Sequence, residues 1–142
     1  MPSIYCGDCS GDDCPGTNNC RRYKTTYNTA WNEANPARRW AQSSIRDHVR
    51  TGYIVELTID ELTDMYICTP RCRYCGRNMS TGPGCAHPLS PTLDRTDNSD
   101  VITMYNSQII CHNCNSTKSS RTHDEFVLYM EEVLQRLREE KA

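Results

Sequence analysis

The sequence has little with which to build a large hydrophobic core. Only 37% of its residues are hydrophobic, and it contains a single phenylalanine. Small domains bury a smaller share of their surface than large ones, so a chain of 142 residues with few apolar side chains is expected to need cross-links. The ten cysteines are the candidates for these cross-links.

The sequence also lacks the apolar runs that mark membrane proteins and secreted precursors. No run approaches the ~18 apolar residues of a membrane span, and Met1 is not followed by the charged start and apolar core of a secretory signal. We therefore expect a cytoplasmic protein without a membrane partner. Because cytoplasmic thiols stay reduced, closely spaced cysteines are predicted to bind metal rather than to form disulfides.

An excess of positive charge is missing as well. The formal net charge is -2, which argues weakly against a nucleic-acid partner, and zinc thiolate sites would make the chain more negative. The distribution is uneven, however: residues 21–50 carry seven Lys and Arg against two acids. The candidate DNA contacts in this stretch are Arg38, Arg39, Arg46 and Arg50. A solvated helix face is the alternative explanation of such a basic run.

Eight of the ten cysteines fall into two sets with the spacing of metal ligands. The first set, C-x2-C-x4-C-x5-C, lies in a segment with almost nothing apolar and comprises Cys6, Cys9, Cys14 and Cys20. The second set is a pair of C-x2-C motifs and comprises Cys72, Cys75, Cys111 and Cys114. Four thiolates hold tetrahedral zinc, so two structural Zn²⁺ ions per chain are predicted. Cys68 and Cys85 fit neither set and are interpreted as buried or free thiols.

The order of the predicted elements indicates an α+β fold. Apolar periodicity predicts a helix over residues 28–49 with a break at Pro36. Capping boxes at Thr58 and Thr122 each predict a further helix, the second one amphipathic. Two short strands are expected at 92–95 and 107–110, followed by a helix that begins near Cys111.

The polar residues between the two halves of the second cysteine set resemble those of zinc-bearing HNH (ββα-metal) endonucleases. That family has a C-x2-C, a strand ending in Asp-His, an Asn on the next turn, and C-x2-C-(Asn or His)-x-x-Lys at the start of a helix. Over residues 72–121 the matching positions are Asp94, Asn106, Asn115 and Lys118.

The resemblance implies a ββα-metal core and a chemistry for each of these positions. It implies one catalytic Mg²⁺ ion per chain, held by Asp94 and Asn115, whose oxygen atoms suit this cation. It also implies that Asn106 braces the turn between the strands, that Lys118 contacts DNA, and that hydrolysis leaves a 5′ phosphate. Each residue also has an ordinary alternative role, such as a turn carboxylate, a turn amide or a helix cap.

One position departs from the pattern of the family, because Arg95 stands where the general-base histidine is usual. An arginine side chain stays protonated and cannot accept a proton from water. The stretch 93–97, Leu-Asp-Arg-Thr-Asp, is similar to phage HNH proteins and to rare-cutting HNH restriction enzymes of the PacI type. That branch implies that Arg95 clamps the scissile phosphate while a tyrosine, here Tyr66, approaches it with help from His48. A core-facing tyrosine and a solvated histidine are the alternatives.

Four segments are predicted: an N-terminal zinc knot (1–24), a helical DNA-contacting segment (25–70), the ββα-metal core (71–121) and a C-terminal helix (122–142).

The predicted function is a site-specific endonuclease for double-stranded DNA, like a type II restriction enzyme from a bacterium or phage. A double-strand cut needs two active sites, so a C2 homodimer is expected. The alternatives are a phage or homing-type HNH nicking enzyme and a non-catalytic zinc module that binds DNA. The C-terminal helix is predicted either to pack on the core or to pair with a partner.

Overall fold

The computed structural model describes residues 29–80 and 87–142 of the chain. Residues 29–34 are helical, and helix α1 follows over Pro36–Arg50. Asn35 separates them with a non-helical backbone (φ -130°, ψ 58°). Pro36 takes a first-turn position of α1, where its missing N–H leaves no helical hydrogen bond unmade. The predicted break at Pro36 is therefore confirmed.

Two further helices begin at the predicted capping boxes. Helix α2 spans Ile59–Cys68, and the Thr58 hydroxyl accepts a hydrogen bond from the Glu61 amide while the Glu61 carboxylate accepts one from the Thr58 amide. The C-terminal helix His123–Lys141 starts with the same reciprocal arrangement at Thr122. These bonds satisfy amide donors that the first turn of a helix leaves open, which is why each helix starts where the motif stands.

In the described part of the chain, four strands form two small sheets. Strands β1 (Ile54–Val55) and β3 (Val101–Ile102) pair in parallel, and β2 (Pro91–Arg95) pairs antiparallel with β4 (Ser107–Cys111). The longer pair matches the two predicted strands to within one residue at each end. The shorter pair was not predicted, since two residues are too few to show an alternating pattern.

A short helix, α3 (His112–Lys118), follows β4 without a connecting loop and packs against both strands of the antiparallel pair. Its N-cap is Cys111, whose sulfur accepts a hydrogen bond from the Cys114 amide at 3.4 Å. The C-terminal helix, which we number α4, comes last. The described chain is thus a mixed α and β structure in which an antiparallel pair of strands leads directly into a helix.

Strand β4 is buried on both faces and separates two hydrophobic clusters. Ile109 belongs to the larger cluster, which is completed by Ala41, Leu57, Leu62, Leu93 and Ile102. Ile110 belongs to the smaller cluster, with Cys72 and Cys111. Successive residues of a strand point to opposite faces, so β4 joins the helical layer of α1 and α2 to the cysteine-rich layer. The predicted segments 25–70 and 71–121 therefore share one core.

Within residues 29–80 and 87–142, no helix combines the length and apolarity that crossing a bilayer requires. The first cysteine set and the zinc knot predicted over 1–24 lie outside the described residues, as does Cys85.

Candidate functional site

The second cysteine set converges at the end of the antiparallel strand pair. Cys72 and Cys75 lie on a turn closed by a hydrogen bond from the Gly76 amide to the Cys72 carbonyl (2.9 Å), where Gly76 adopts a φ of 71°. Cys111 ends β4, and Cys114 lies in the first turn of α3. A positive φ strains any residue that carries a Cβ, so the turn favours glycine at this point.

The four sulfur atoms are spaced as a metal site requires. The four ligand atoms all lie within 4.8 Å of one another, and the Sγ atoms of Cys75 and Cys111 are 3.8 Å apart. A tetrahedron with Zn–S bonds of about 2.3 Å has an edge of about 3.8 Å. The four cysteines could therefore bind one metal ion such as zinc.

The electrostatics of the cluster also favour a cation. Burial is the largest cause that raises the pKa of the Cys111 and Cys114 thiols, and contacts with the Cys72 and Cys75 sulfur atoms raise both further. Burial acts the same way on Cys72, but backbone hydrogen bonds from Cys111, Cys75 and Tyr74 outweigh it and lower its pKa to about 7. Four thiolates this close repel one another, and a divalent cation would reverse that repulsion.

Next to the cluster, Asp94 forms a buried ion pair with Lys118. The Lys118 ammonium lies 3.1 Å from Asp94 Oδ1, and the two side chains are 3% and 8% exposed. The same ammonium donates to the Arg95 carbonyl at 2.9 Å. Asp94 Oδ2 accepts a hydrogen bond from Gln108 Nε2 at 2.8 Å, so both carboxylate oxygens have a partner.

Lys118 therefore does not lie where the sequence predicted. A DNA-contacting lysine has to present its ammonium at the surface, but this one is turned inward and used by Asp94 and the Arg95 carbonyl. The physical reason is the cost of burying a charge alone: Asp94 is inside the protein, and a cation at hydrogen-bonding distance offsets its desolvation.

Hydrogen bonds continue from Asp94 to the cysteine turn. Gln108 Nε2 also donates to the Tyr74 hydroxyl at 2.8 Å, and this hydroxyl lies 2.9 Å from Nδ1 of His123 at the start of α4. Gln108 Oε1 is buried and has no hydrogen-bond partner among the residues described. Tyr74 lies in the sequence between Cys72 and Cys75, so these hydrogen bonds connect the cysteine turn with the Asp94 carboxylate.

Arg95 lies at the end of β2 against Tyr53. Its guanidinium carbon is 4.2 Å from the centre of the Tyr53 ring, Nη2 donates to the Tyr53 hydroxyl at 3.0 Å, and Nη1 donates to the Ser99 carbonyl. No carboxylate pairs with Arg95 within residues 29–80 and 87–142. The guanidinium is half-buried and keeps its positive charge without an ion-pair partner.

His48 stands on the other side of Tyr53. The two ring centroids are 5.8 Å apart, and His48 Nδ1 lies 2.8 Å from the Ser44 carbonyl oxygen. A carbonyl only accepts, so Nδ1 is the protonated nitrogen and Nε2 is the one that can accept a proton. Tyr53 was not among the predicted site residues; its only sequence signal is its position in the short connection between α1 and β1.

Tyr66 lies elsewhere. Its ring packs on Trp40 with 4.9 Å between the centroids, and both residues border the larger hydrophobic cluster. Trp40 is itself held by a hydrogen bond from its indole nitrogen to the Pro91 carbonyl at 3.0 Å. The structure therefore gives Tyr66 the core-facing role, and the tyrosine in contact with Arg95 is Tyr53.

Asn106 braces the turn between β3 and β4. Its side-chain oxygen accepts from the Thr103 amide at 2.7 Å, and its nitrogen donates to the Val101 carbonyl at 2.8 Å and to Asp97 at 3.1 Å. Asn115 is half-buried in α3, three residues before Lys118 and thus on the same helix face. Its side chain makes no hydrogen bond with other described residues.

Three of the four candidate DNA-contacting arginines share an exposed face of α1. Arg39, Arg46 and Arg50 are spaced seven and four residues apart, on the side opposite the buried Ala41. Arg38 lies on another face and pairs with Asp60. Within residues 29–80 and 87–142, these three arginines make one ion pair, the exposed contact between Arg50 and Asp47 at 3.4 Å. Outside both cysteine sets, Cys68 is an exposed free thiol at the end of α2.

No protein-family model matches this chain, and no curated protein or solved structure matches it either.

Proposed function

We propose that this protein is a Mg²⁺-dependent DNA endonuclease of the HNH type that cuts double-stranded DNA at specific sites. The observation that carries the proposal is the antiparallel pair β2–β4 leading into α3, fixed at one end by four cysteines and carrying Asp94 and Arg95 on β2. This order of elements and residues is the one that the resemblance to the family predicts. The zinc ion would hold the frame, and the polar residues would perform the chemistry.

The donors around Asp94 fit a magnesium ion. Each carboxylate oxygen accepts one hydrogen bond, which leaves lone pairs available for a metal. Asn115 offers a side-chain oxygen from the helix face that also carries Lys118. When bound, Mg²⁺ would stabilise the negative charge that develops on the phosphate and on the leaving oxygen.

The residues of the chain would orient the phosphate and hold Asp94 in position. Lys118 pairs with Asp94 inside the protein and offsets the cost of burying its carboxylate. Arg95 keeps an uncompensated positive charge and a forked set of donors, which suits it to bind a phosphodiester. Tyr53 and His48 lie beside Arg95, and we propose this pair, in place of Tyr66, as the route by which the attacking group loses its proton.

The exposed arginine stripe on α1 supplies sequence-independent contacts to the DNA backbone. Its three members lie on a single face, so they can follow one strand of phosphates although the net charge of the chain is negative. Two active sites are needed for a double-strand cut, which a homodimer would provide.

A second candidate function is a zinc module that binds DNA without cutting it. The specific observation in its favour is the Lys118 ammonium at 3.1 Å from Asp94 Oδ1, because a cation already occupies one side of the proposed metal ligand. A nicking enzyme is a third outcome and differs only in cutting one strand.

The test is cleavage of plasmid and phage DNA by the purified, zinc-loaded protein, with Mg²⁺ added and with no added divalent cation. Discrete fragments that require Mg²⁺ support the proposal, and relaxed circles alone indicate a nicking enzyme. Asn115→Ala is the informative variant because it leaves the buried pair intact, and Asp64→Asn on the exposed side of α2 is the matched control. DNA binding without cleavage in either Mg²⁺ or Mn²⁺ would overturn the proposal in favour of the non-catalytic module.

A further inference from the structure

Helix α4 presents an apolar stripe that the rest of the described chain leaves uncovered. The helix has 19 residues and is therefore about 28 Å long. Near its start, Phe126 is buried against the Tyr74 ring, with centroids 5.0 Å apart. Further along, Leu134 and Leu137 are 46% and 50% exposed, although they continue the stripe that begins with Phe126 and Met130.

The start of α4 is fixed to the body of the protein. The His123 amide donates to the Thr96 carbonyl at 2.8 Å, and the Arg121 guanidinium lies 4.1 Å from the Tyr129 ring centre. Residues 134–142 are exposed throughout. A capped helix that is anchored at one end and projects an apolar stripe from the other is well suited to meet another helix.

The spacing of the stripe is that of a helix pair. Met130, Leu134 and Leu137 are four and three residues apart, the repeat by which apolar side chains of two helices interlock. Glu131 and Arg138 are seven residues apart and therefore lie on one flank of the stripe. Leu128 is also exposed, at 59%, but it lies on the opposite side of the helix from the stripe.

The charges of α4 are distributed unevenly along its length. Its first part, 123–133, contains four acidic residues and no Lys or Arg, whereas 134–142 contains three basic residues and two acidic ones. Two copies placed antiparallel would set the acidic part of each against the basic part of the other. Two parallel copies would instead place the acidic parts together, which costs free energy. A membrane surface is disfavoured because the helix as a whole is acidic.

We propose that α4 is the contact between two copies of this chain, which pair antiparallel about a twofold axis near Leu134. Leu134 and Leu137 form the apolar centre, and Glu131 of each copy faces Arg138 of the other. Because one pair of helices falls short of the ~1,200 Å² buried in stable interfaces, the dimer is expected to form at micromolar concentrations. The start of α4 is bonded through His123 to Tyr74, so the contact would also fix the distance between the two metal centres.

The test is sedimentation equilibrium of the zinc-loaded full chain over a range of micromolar concentrations, without DNA or Mg²⁺. The outcome therefore does not depend on whether the protein is a nuclease. The wild-type chain should show a monomer–dimer equilibrium. Leu134→Glu should raise the dissociation constant by about tenfold or more, whereas the matched Leu128→Glu should leave it unchanged.

Charge exchange tests the antiparallel arrangement. Glu131→Arg alone and Arg138→Glu alone should each weaken the dimer, and the double variant should restore it, because the pairing is recovered with opposite signs. A mass that stays monomeric at every concentration would overturn the proposal. So would a dimer that Leu134→Glu does not weaken, or a double variant no better than the single ones.

Discussion

Replacing Lys118 with methionine removes the cation from the buried pair and keeps most of the side-chain volume. Asp94 would then be a charge at 8% exposure with one hydrogen bond, from Gln108, as its remaining partner. Breaking a buried ion pair from one side costs about 3–5 kcal/mol of folding free energy. Since a domain of this size has about 5–15 kcal/mol in total, we expect the variant to be near the limit of folding.

The measurement is urea-induced unfolding of the zinc-loaded chain, followed by circular dichroism at neutral pH. Arg136→Met is the matched control, because Arg136 pairs with Glu140 at 3.2 Å but both side chains are exposed. That control should cost less than about 1 kcal/mol. Adding Asp94→Asn to Lys118→Met should recover much of the loss, because the buried charge is gone and Gln108 can still donate to the amide oxygen. A loss below about 1 kcal/mol for Lys118→Met alone would refute the reasoning.

Three further predictions concern the metal centre and its surroundings. Burial and crowding raise the pKa of the Cys111 and Cys114 thiols, so zinc must displace protons from them. Zinc affinity should therefore increase with pH in a competition titration. Cys111→Ser should lower the zinc content by one ion per chain. Burial raises the pKa of Tyr74. The folding free energy that its neutral phenol contributes should therefore be present below a pH of about 10 and be lost as the pH rises through the raised pKa. In unfolding curves at alkaline pH, Tyr74→Phe should reduce this loss of stability. In the cleavage assay, Tyr53→Phe should reduce the rate by about tenfold or more, while Tyr66→Phe should leave it within about twofold. The reverse order would contradict the role proposed for Tyr53.

The helices were predictable because their signals are local. Thr58 and Thr122 each precede a glutamate by three residues, and such a capping motif acts through bonds within one turn. Pro36 likewise fixes the break before α1 by its own covalent geometry. The parallel pairing of Ile54 with Val101 was not predictable, because it joins residues far apart in the chain and leaves no local pattern.

The packing of Tyr66 could have been inferred from the sequence. Tyr66 is four residues after Leu62 on α2, so the two side chains share one face of the helix. Leu62 is fully buried, which turns Tyr66 toward the core and onto Trp40. The direction of Tyr53 could not be read in this way, because it lies in a connection where no helical or strand periodicity applies.

The position of Lys118 shows how the polar site and the metal frame depend on each other. Both carboxylate oxygens of Asp94 accept hydrogen bonds, one from Lys118 and one from Gln108 Nε2, and the same Gln108 nitrogen donates to the Tyr74 hydroxyl. The hydroxyl accepts this hydrogen bond from Gln108 and forms a further one with His123 Nδ1 at 2.9 Å. These hydrogen bonds tie the orientation of Asp94 to a tyrosine that lies in the sequence between Cys72 and Cys75. A displacement of the cysteine turn would therefore move the Asp94 carboxylate. We accordingly expect removal of the metal to impair the polar site as well.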